Sequence, residues 1–127
     1  MIKCSNEAAN FATLVTNGRH QAICDVPAAK GGGDTGFGPH ELLEAGLAGC
    51  LNIWLRIYAA NHGIPLAGIT TEVSVQRDSP GLAVFAYAIE LSGDLTAEQR
   101  QELLQAAKSC PVHQTLSGQI SFKSLTG

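Results

Sequence analysis

The stretch PHELLEAGLAGCLNIWLRIYAAN, Pro39 to Asn61, decides how the rest of the chain is read. Pro39 suits the first turn of a helix, where its missing N–H is not needed, and Glu41 and Glu44 fall at the positive end of the helix dipole. His62-Gly63 closes the helix and Pro65 forbids its continuation. Leu43, Leu47, Cys50, Trp54 and Ile57 recur at spacings of four and three, so on a helix they share one face with Cys50 at its centre. Ala45, Gly46, Ala48, Gly49 and Ala59 occupy the other sides, broken by Glu41, Asn52 and Arg56. Small residues let another backbone come close, so the pattern predicts a long central helix covered by protein on most sides.

Working outward, Phe11 to Val26 holds two β-rich runs around Asn17-Gly18, a pair that supplies positive φ for a tight hairpin turn, with Arg19 starting the second strand. KGGGDTGFGPH (30–40) is too glycine-rich for regular structure and reads as an ordered or mobile loop, best taken as a flexible rim. On the C-terminal side, Gly68–Arg77 alternates at period two and Leu82–Gly93 follows after Asp78-Ser79-Pro80-Gly81, a second hairpin. Thr96, three before Gln99, opens a capping box for a helix to Lys108 with Leu103, Leu104 and Ala107 inside. Ser109-Cys110-Pro111 breaks it, Pro111 begins a short helix to Leu116, and Gln119–Leu125 is expected to be a last strand. Hairpin, long helix, hairpin, helix and strand make an α+β fold with an antiparallel sheet. One small sheet and one short helix are little cover for so apolar a helix, and a C2 homodimer with central helices packed near each other supplies the rest.

The chain of 127 residues has room for one domain, 1–127, with a real core. With 8 Lys+Arg against 11 Asp+Glu and no basic cluster, a nucleic-acid partner is not expected. No apolar run reaches membrane-spanning length, and MIKCSNEAAN lacks the apolar stretch of a signal peptide. A soluble, cytoplasmic protein is expected. Its four cysteines sit beside 45% hydrophobic residues, a core that needs no disulfide staples, so a reducing compartment and free thiols fit better.

Cys50, on an apolar helix, is open to two readings, a small buried hydrophobe or a reactive thiol. Cys110 precedes Pro111, so at the start of a short helix its sulfur meets unpaired N–H groups that favour thiolate; the alternative is a loop residue that caps poorly. A reactive Cys50 needs a cation from elsewhere, for which Arg19 is the candidate, against a solvated arginine at a strand end. Cys4, in a terminal segment expected to fray, and Cys24, within a strand, look inert. His20, His40, His62 and His113 lack metal-ligand spacing, and GGGDTGFG lacks the phosphate-loop pattern, so neither metal nor cofactor is expected.

NGRHQAICDVP, GGGDTGFGPHELLEAGLAGC and SGDLTAEQRQELLQAAKSCPVHQTL together resemble the OsmC/Ohr family of thiol-dependent hydroperoxide reductases, in its branch with CPVH endings. The resemblance implies antiparallel sheets wrapped around central helices in an intertwined homodimer, with active sites at the subunit interface. It implies Cys50 as the peroxidatic cysteine, oxidised to a sulfenic acid, and Cys110 as the resolving cysteine that condenses with it to a disulfide. It also implies Arg19 as the thiolate's partner, an organic hydroperoxide as substrate, and a lipoyl-type or small dithiol as reductant. Leu47, Trp54 and Phe37 would line an apolar substrate pocket beside His40. In the organic hydroperoxide branch a glutamate lies ten positions before the reactive cysteine; here that position is His40 and the acid is Glu41. Either residue is a candidate for the glutamate's role, or the arginine is held some other way. The alternative is a redox-sensing or small-molecule-binding module without efficient turnover.

Overall fold

The computed structural model describes residues 1–126, which resolve into two compact units meeting within the long helix, between Leu43 and Glu44. The first unit is built on a three-stranded antiparallel sheet, β1 (Lys3–Asn6), β2 (Thr13–Thr16) and β3 (Gln21–Cys24), in that order. The β2–β3 turn forms where Asn17-Gly18 predicts it. Gly18 takes φ 94°, and the Asn17 carboxamide oxygen accepts from the N–H groups of Arg19 and His20 at 2.9 and 2.8 Å. Those two bonds keep Arg19 in the turn, two residues before the strand it was expected to start. The terminal segment expected to fray is paired in full with β2, Cys4 opposite Val15.

After β3 the glycine-rich segment is ordered around the buried Asp25. Its carboxylate accepts from the N–H groups of Val26 and Thr35 and, at 2.6 Å, from the Thr35 hydroxyl. Gly36 passes so close to the Ile23 carbonyl, and Gly32 to that of Val26, that neither position has room for a Cβ. The expected flexible rim is therefore a loop packed on a carboxylate.

Helix α1 spans Pro39–Asn61, as the sequence predicts, and gives its first five residues to this unit. In the second unit the rest of α1 is followed by the hairpin β4 (Leu66–Ser79) and β5 (Leu82–Gly93), then α2 (Ala97–Ala106) and α3 (Pro111–Ser117). Thr96 caps α2 in a complete capping box with Gln99. The core gathers Leu47, Leu51, Leu55 and Ala59 of α1 with Ile64, Leu103, Ala106, Ala107 and Cys110, and Ile69, Val73, Phe85, Ile89 and Leu91 of the hairpin pack against it. Each fully buried leucine contributes roughly 1.5–3 kcal/mol relative to exposure.

The buried stripe of α1 thus runs at a constant spacing of four through Leu47, Leu51, Leu55 and Ala59, while Leu43 and Ile57 of the expected face are exposed. Three polar contacts to β4 accompany this choice. Val75 N–H donates to Glu44 Oε2 at 2.9 Å, the Thr71 hydroxyl to the Ala48 carbonyl at 2.8 Å, and Asn52 Nδ2 to the Ile69 carbonyl at 3.2 Å. Two other expectations fail. Leu104 lies on the solvent side of α2, one residue past the buried Leu103, because the buried positions are 103, 106 and 107. Residues 119–126 form no strand; Ile120, Phe122 and Leu125 are exposed, with no strand of the described residues alongside to complete a ladder.

Candidate active site

Two cysteines 60 positions apart in the chain meet in the second unit, Cys110 Sγ lying 2.7 Å from Cys50 Sγ. Both are free thiols. A disulfide bond is about 2.05 Å, so closing it takes a movement well under one ångström. Cys50 precedes Leu51 on α1 and so stands at the edge of the buried stripe, half-buried. Cys110 is placed by its neighbour: proline disfavours the helical conformation in the residue before it, and Cys110 adopts φ −56°, ψ 131°. That turns the chain out of the 3₁₀ turn Ala107–Ser109 and into α3.

Trp54, one turn beyond Cys50, ties the two segments together. Its Nε1–H donates to the Ala106 carbonyl at 2.9 Å. The helical partner of that carbonyl would be Cys110 N–H, which bonds to the Ala107 carbonyl instead. The tightening that positions Cys110 therefore frees the acceptor that Trp54 fills.

Cys110 is the N-cap of α3, its sulfur accepting the His113 N–H at 3.5 Å. The sequence reading expected this to favour thiolate. Burial outweighs it and pushes the Cys110 thiol up, the contact with Cys50 adds to the rise, and the His113 and Val112 N–H groups pull only part of the way back. Burial thus favours the neutral thiol at Cys110, in contact with Cys50.

Beside Cys50 opens a hollow of about 500 Å³ lined by Gly46, Gly49, Ile53, Trp54, Ile57 and Pro111. Every lining side chain but the thiol and the indole N–H is purely hydrocarbon or absent. Leu47 does not belong to it. That side chain is buried and lines a separate hollow of about 280 Å³ with Tyr87, His113 and Ser117, which touches neither cysteine.

The remaining candidates belong to the first unit. Arg19 is exposed in the β2–β3 turn. Glu41 is exposed, and its Oε1 accepts the Gly38 N–H at 2.8 Å across the start of α1. His40 and Phe37 are exposed, the Phe37 backbone bridging to Cys24 and its carbonyl accepting from Asp25 N–H. The structure brings together Cys50, Cys110 and Trp54. Sequence reasoning missed Ile53, Ile57, Pro111 and the two glycines as lining, although 46, 53 and 54 lie three or four positions from Cys50 and 57 lies seven. It also missed Asp25, for which a lone acid after a strand gives no distinguishing signal.

The thiol pair is the setting for the comparison with known proteins. The family model described as OsmC-like protein matches residues 31–124, which include both cysteines. The chain belongs to the OsmC-like family. Organic hydroperoxide resistance protein OhrB of Bacillus subtilis is 31% identical over 102 residues, 77% of this chain and 75% of that protein. The crystal structure of that OhrB superposes with a TM-score of 0.65 at 27% identity, covering 93% of this chain and 90% of the other. An OsmC-like protein of Mycoplasma pneumoniae shares the fold at TM-score 0.78 and 22% identity, covering 93% and 86%. A protein of Psychrobacter arcticus, described as a putative osmotic stress induced and detoxification response protein, does so at 0.75 and 24%, covering 90% and 85%. The OsmC-like fold, antiparallel strands with a long helix, is the one its sequence predicts.

Proposed function

We propose that this OsmC-like protein reduces organic hydroperoxides with Cys50 and Cys110 and is recycled by a dithiol. The observation that carries the reading is the 2.7 Å approach of two sulfurs beside a hydrocarbon-lined hollow. The kinship with a hydroperoxide resistance protein supplies the substrate class. The Cys50 thiolate attacks the O–O bond of ROOH, taking one oxygen as sulfenic acid while the alkoxide leaves and is protonated to ROH. The neutral Cys110 thiol then condenses with it, an S–S bond forming as water departs. A dithiol returns both sulfurs to thiols and becomes a cyclic disulfide.

Arg19 is proposed as the cation that holds the Cys50 thiolate, with Glu41 or His40 in the place of the glutamate that orients it, and Phe37 at the rim of the substrate site. A homodimer is part of the reading. The half-exposed Ile53 and Ile57, beside Gly46 and Gly49, leave an apolar strip along α1 that the same helix of a second copy would cover. A reducing, cytoplasmic setting and one domain spanning 1–127 complete it.

The test is turnover of cumene hydroperoxide with dihydrolipoamide as donor. Many cycles per site are expected in the wild type and none in Cys50→Ser. A single round of oxidation without turnover would leave a redox sensor, and turnover surviving in Cys50→Ser would remove the cysteine mechanism altogether.

A further inference from the structure

Asp25 is the one buried charged side chain among the described residues, 3% exposed, and the chemistry proposed for the thiols makes no use of it. A carboxylate taken out of water is costly unless its lone pairs are met. Here backbone N–H groups and a hydroxyl meet them in place of a cation: Val26 N–H at 2.7 Å, Thr35 N–H at 3.1 Å and Thr35 Oγ1 at 2.6 Å. Two of these donors lie ten residues along the chain, so the carboxylate closes the glycine-rich segment into a loop.

The backbone completes the closure. Asp34 N–H donates to the Val26 carbonyl at 3.1 Å, and Asp25 N–H to the Phe37 carbonyl at 3.1 Å. Asp34 sits at φ 53°, a left-handed conformation that a residue with a side chain holds only when its surroundings fix it. Immediately after Phe37, Gly38 N–H donates to Glu41 Oε1 at 2.8 Å, and the Gly38 carbonyl accepts from Leu42 N–H at 3.0 Å. By holding Phe37, Asp25 therefore sets the position of Gly38, the start of α1 and the carboxylate of Glu41. Of the two candidates for the acid's role, Glu41 is the one whose side chain is anchored in this way. The bond to Gly38 occupies Oε1 and narrows the directions in which Oε2 can meet a guanidinium.

We propose that Asp25 is a positioning residue for the hydroperoxide chemistry: by clamping the loop 26–37 it holds Glu41 in the orientation that keeps the Arg19 guanidinium in place. The inference rests on the function proposed above, with Glu41 as the acid. Asp25 makes and breaks no bond in the reaction and acts only through Gly38 and Glu41. All of its contacts lie within the first unit, so the packing of the thiol pair does not depend on them.

The test is a double-mutant cycle of Asp25→Asn and Glu41→Gln, read as the rate at which cumene hydroperoxide oxidises Cys50, at a temperature where every variant is folded. Each single variant is expected to slow the step about tenfold, and the double variant should be no slower than Glu41→Gln alone. Losses that multiply to about a hundredfold overturn the proposal, because Asp25 then acts on something other than Glu41. An unchanged rate in Asp25→Asn overturns it as well. Thr35 supplies the measurement if Asp25→Asn does not fold. Thr35→Val removes the hydroxyl at nearly constant volume and should slow the step about threefold, whereas Thr35→Ser retains the hydroxyl and should keep the wild-type rate; equal rates in the two variants overturn the clamp. Hydrogen exchange separates a failed clamp from a failed function. The Gly38 amide should lose protection about tenfold in Asp25→Asn whether or not the protein reduces hydroperoxides, and undiminished protection overturns the clamp. A wild-type Cys50 that hydroperoxide leaves reduced removes the function instead, and with it the role given to Glu41.

Discussion

Replacing Trp54 by Phe tests whether the two sulfurs are held together by the bond from the indole to the Ala106 carbonyl. The substitution keeps an aromatic ring in the hollow and removes one N–H, whose 2.9 Å bond ends on a carbonyl of a residue 9% exposed. A hydrogen bond contributes about 0.5–1.5 kcal/mol net, and leaving a buried acceptor unpaired costs about 1–3 kcal/mol. Because Cys110 N–H is committed to the Ala107 carbonyl, no helical donor replaces the indole, so the upper half of the range applies. The expected loss is about 2 kcal/mol, which for a chain of this size lowers Tm by on the order of 8 °C. If about 1.4 kcal/mol of that is expressed as looser placement of Cys110, condensation of the Cys50 sulfenate to the disulfide slows tenfold. Acid-quench thiol counting after a single equivalent of peroxide measures the step, at a temperature where both proteins are folded. Lost stability with an unchanged condensation rate would reduce Trp54 to packing, and an unchanged Tm would refute the accounting itself.

Cys110→Ser should leave Cys50 without its resolving partner, so that excess peroxide drives it past sulfenic to sulfinic acid, read as a gain of two oxygens by mass spectrometry. The Asp25 carboxyl is held below its ordinary value of 3.8, first by the Thr35 hydroxyl and then by the Val26 and Thr35 N–H groups. Its stabilisation is therefore complete above that pH and lost as pH falls through the lower folded value. Asp25→Asn should flatten this acid limb, and hydrogen exchange of residues 26–37 measures it. The Cys110 thiol is held above its ordinary value of 9.0, so its contribution is intact below that pH and declines as pH rises beyond it. An alkaline loss of stability in the wild type should be smaller in Cys110→Ser, measured by denaturant titration at pH 8 and pH 10. Ile57→Arg should place a charge on the open strip of α1 and halve the mass seen by analytical ultracentrifugation; a wild-type monomer would discard the proposed dimer.

Where a local rule dominates, the chain is legible. Pro39 and His62-Gly63 bound α1, Thr96 and Gln99 start α2, Asn17-Gly18 turns β2 into β3, and Pro111 opens α3 just after Cys110. The thiol pair is legible because both cysteines lie in contexts that resemble one family. Legibility ends where the answer depends on distant partners. A helix apolar on several sides does not state which side is buried, so the stripe through Leu51 and Leu55 could not be chosen by spacing alone. Gln119–Leu125 has strand composition, but no strand of the described residues pairs with it. The pull of the α3 N–H groups on Cys110 is visible in sequence, whereas the core that encloses the sulfur and opposes that pull is not.

The contacts from Glu44, Ala48 and Asn52 to β4 act like keys along a shaft. Hydrophobicity would let α1 settle at several rotations about its axis, and a turn of one residue, about 100°, swings Cys50 away from Cys110 while still burying hydrocarbon. The polar atoms thus add to the aim that the buried leucines already give. Removing Thr71's hydroxyl and the polar ends of Glu44 and Asn52 should leave a folded chain whose thiols no longer face each other.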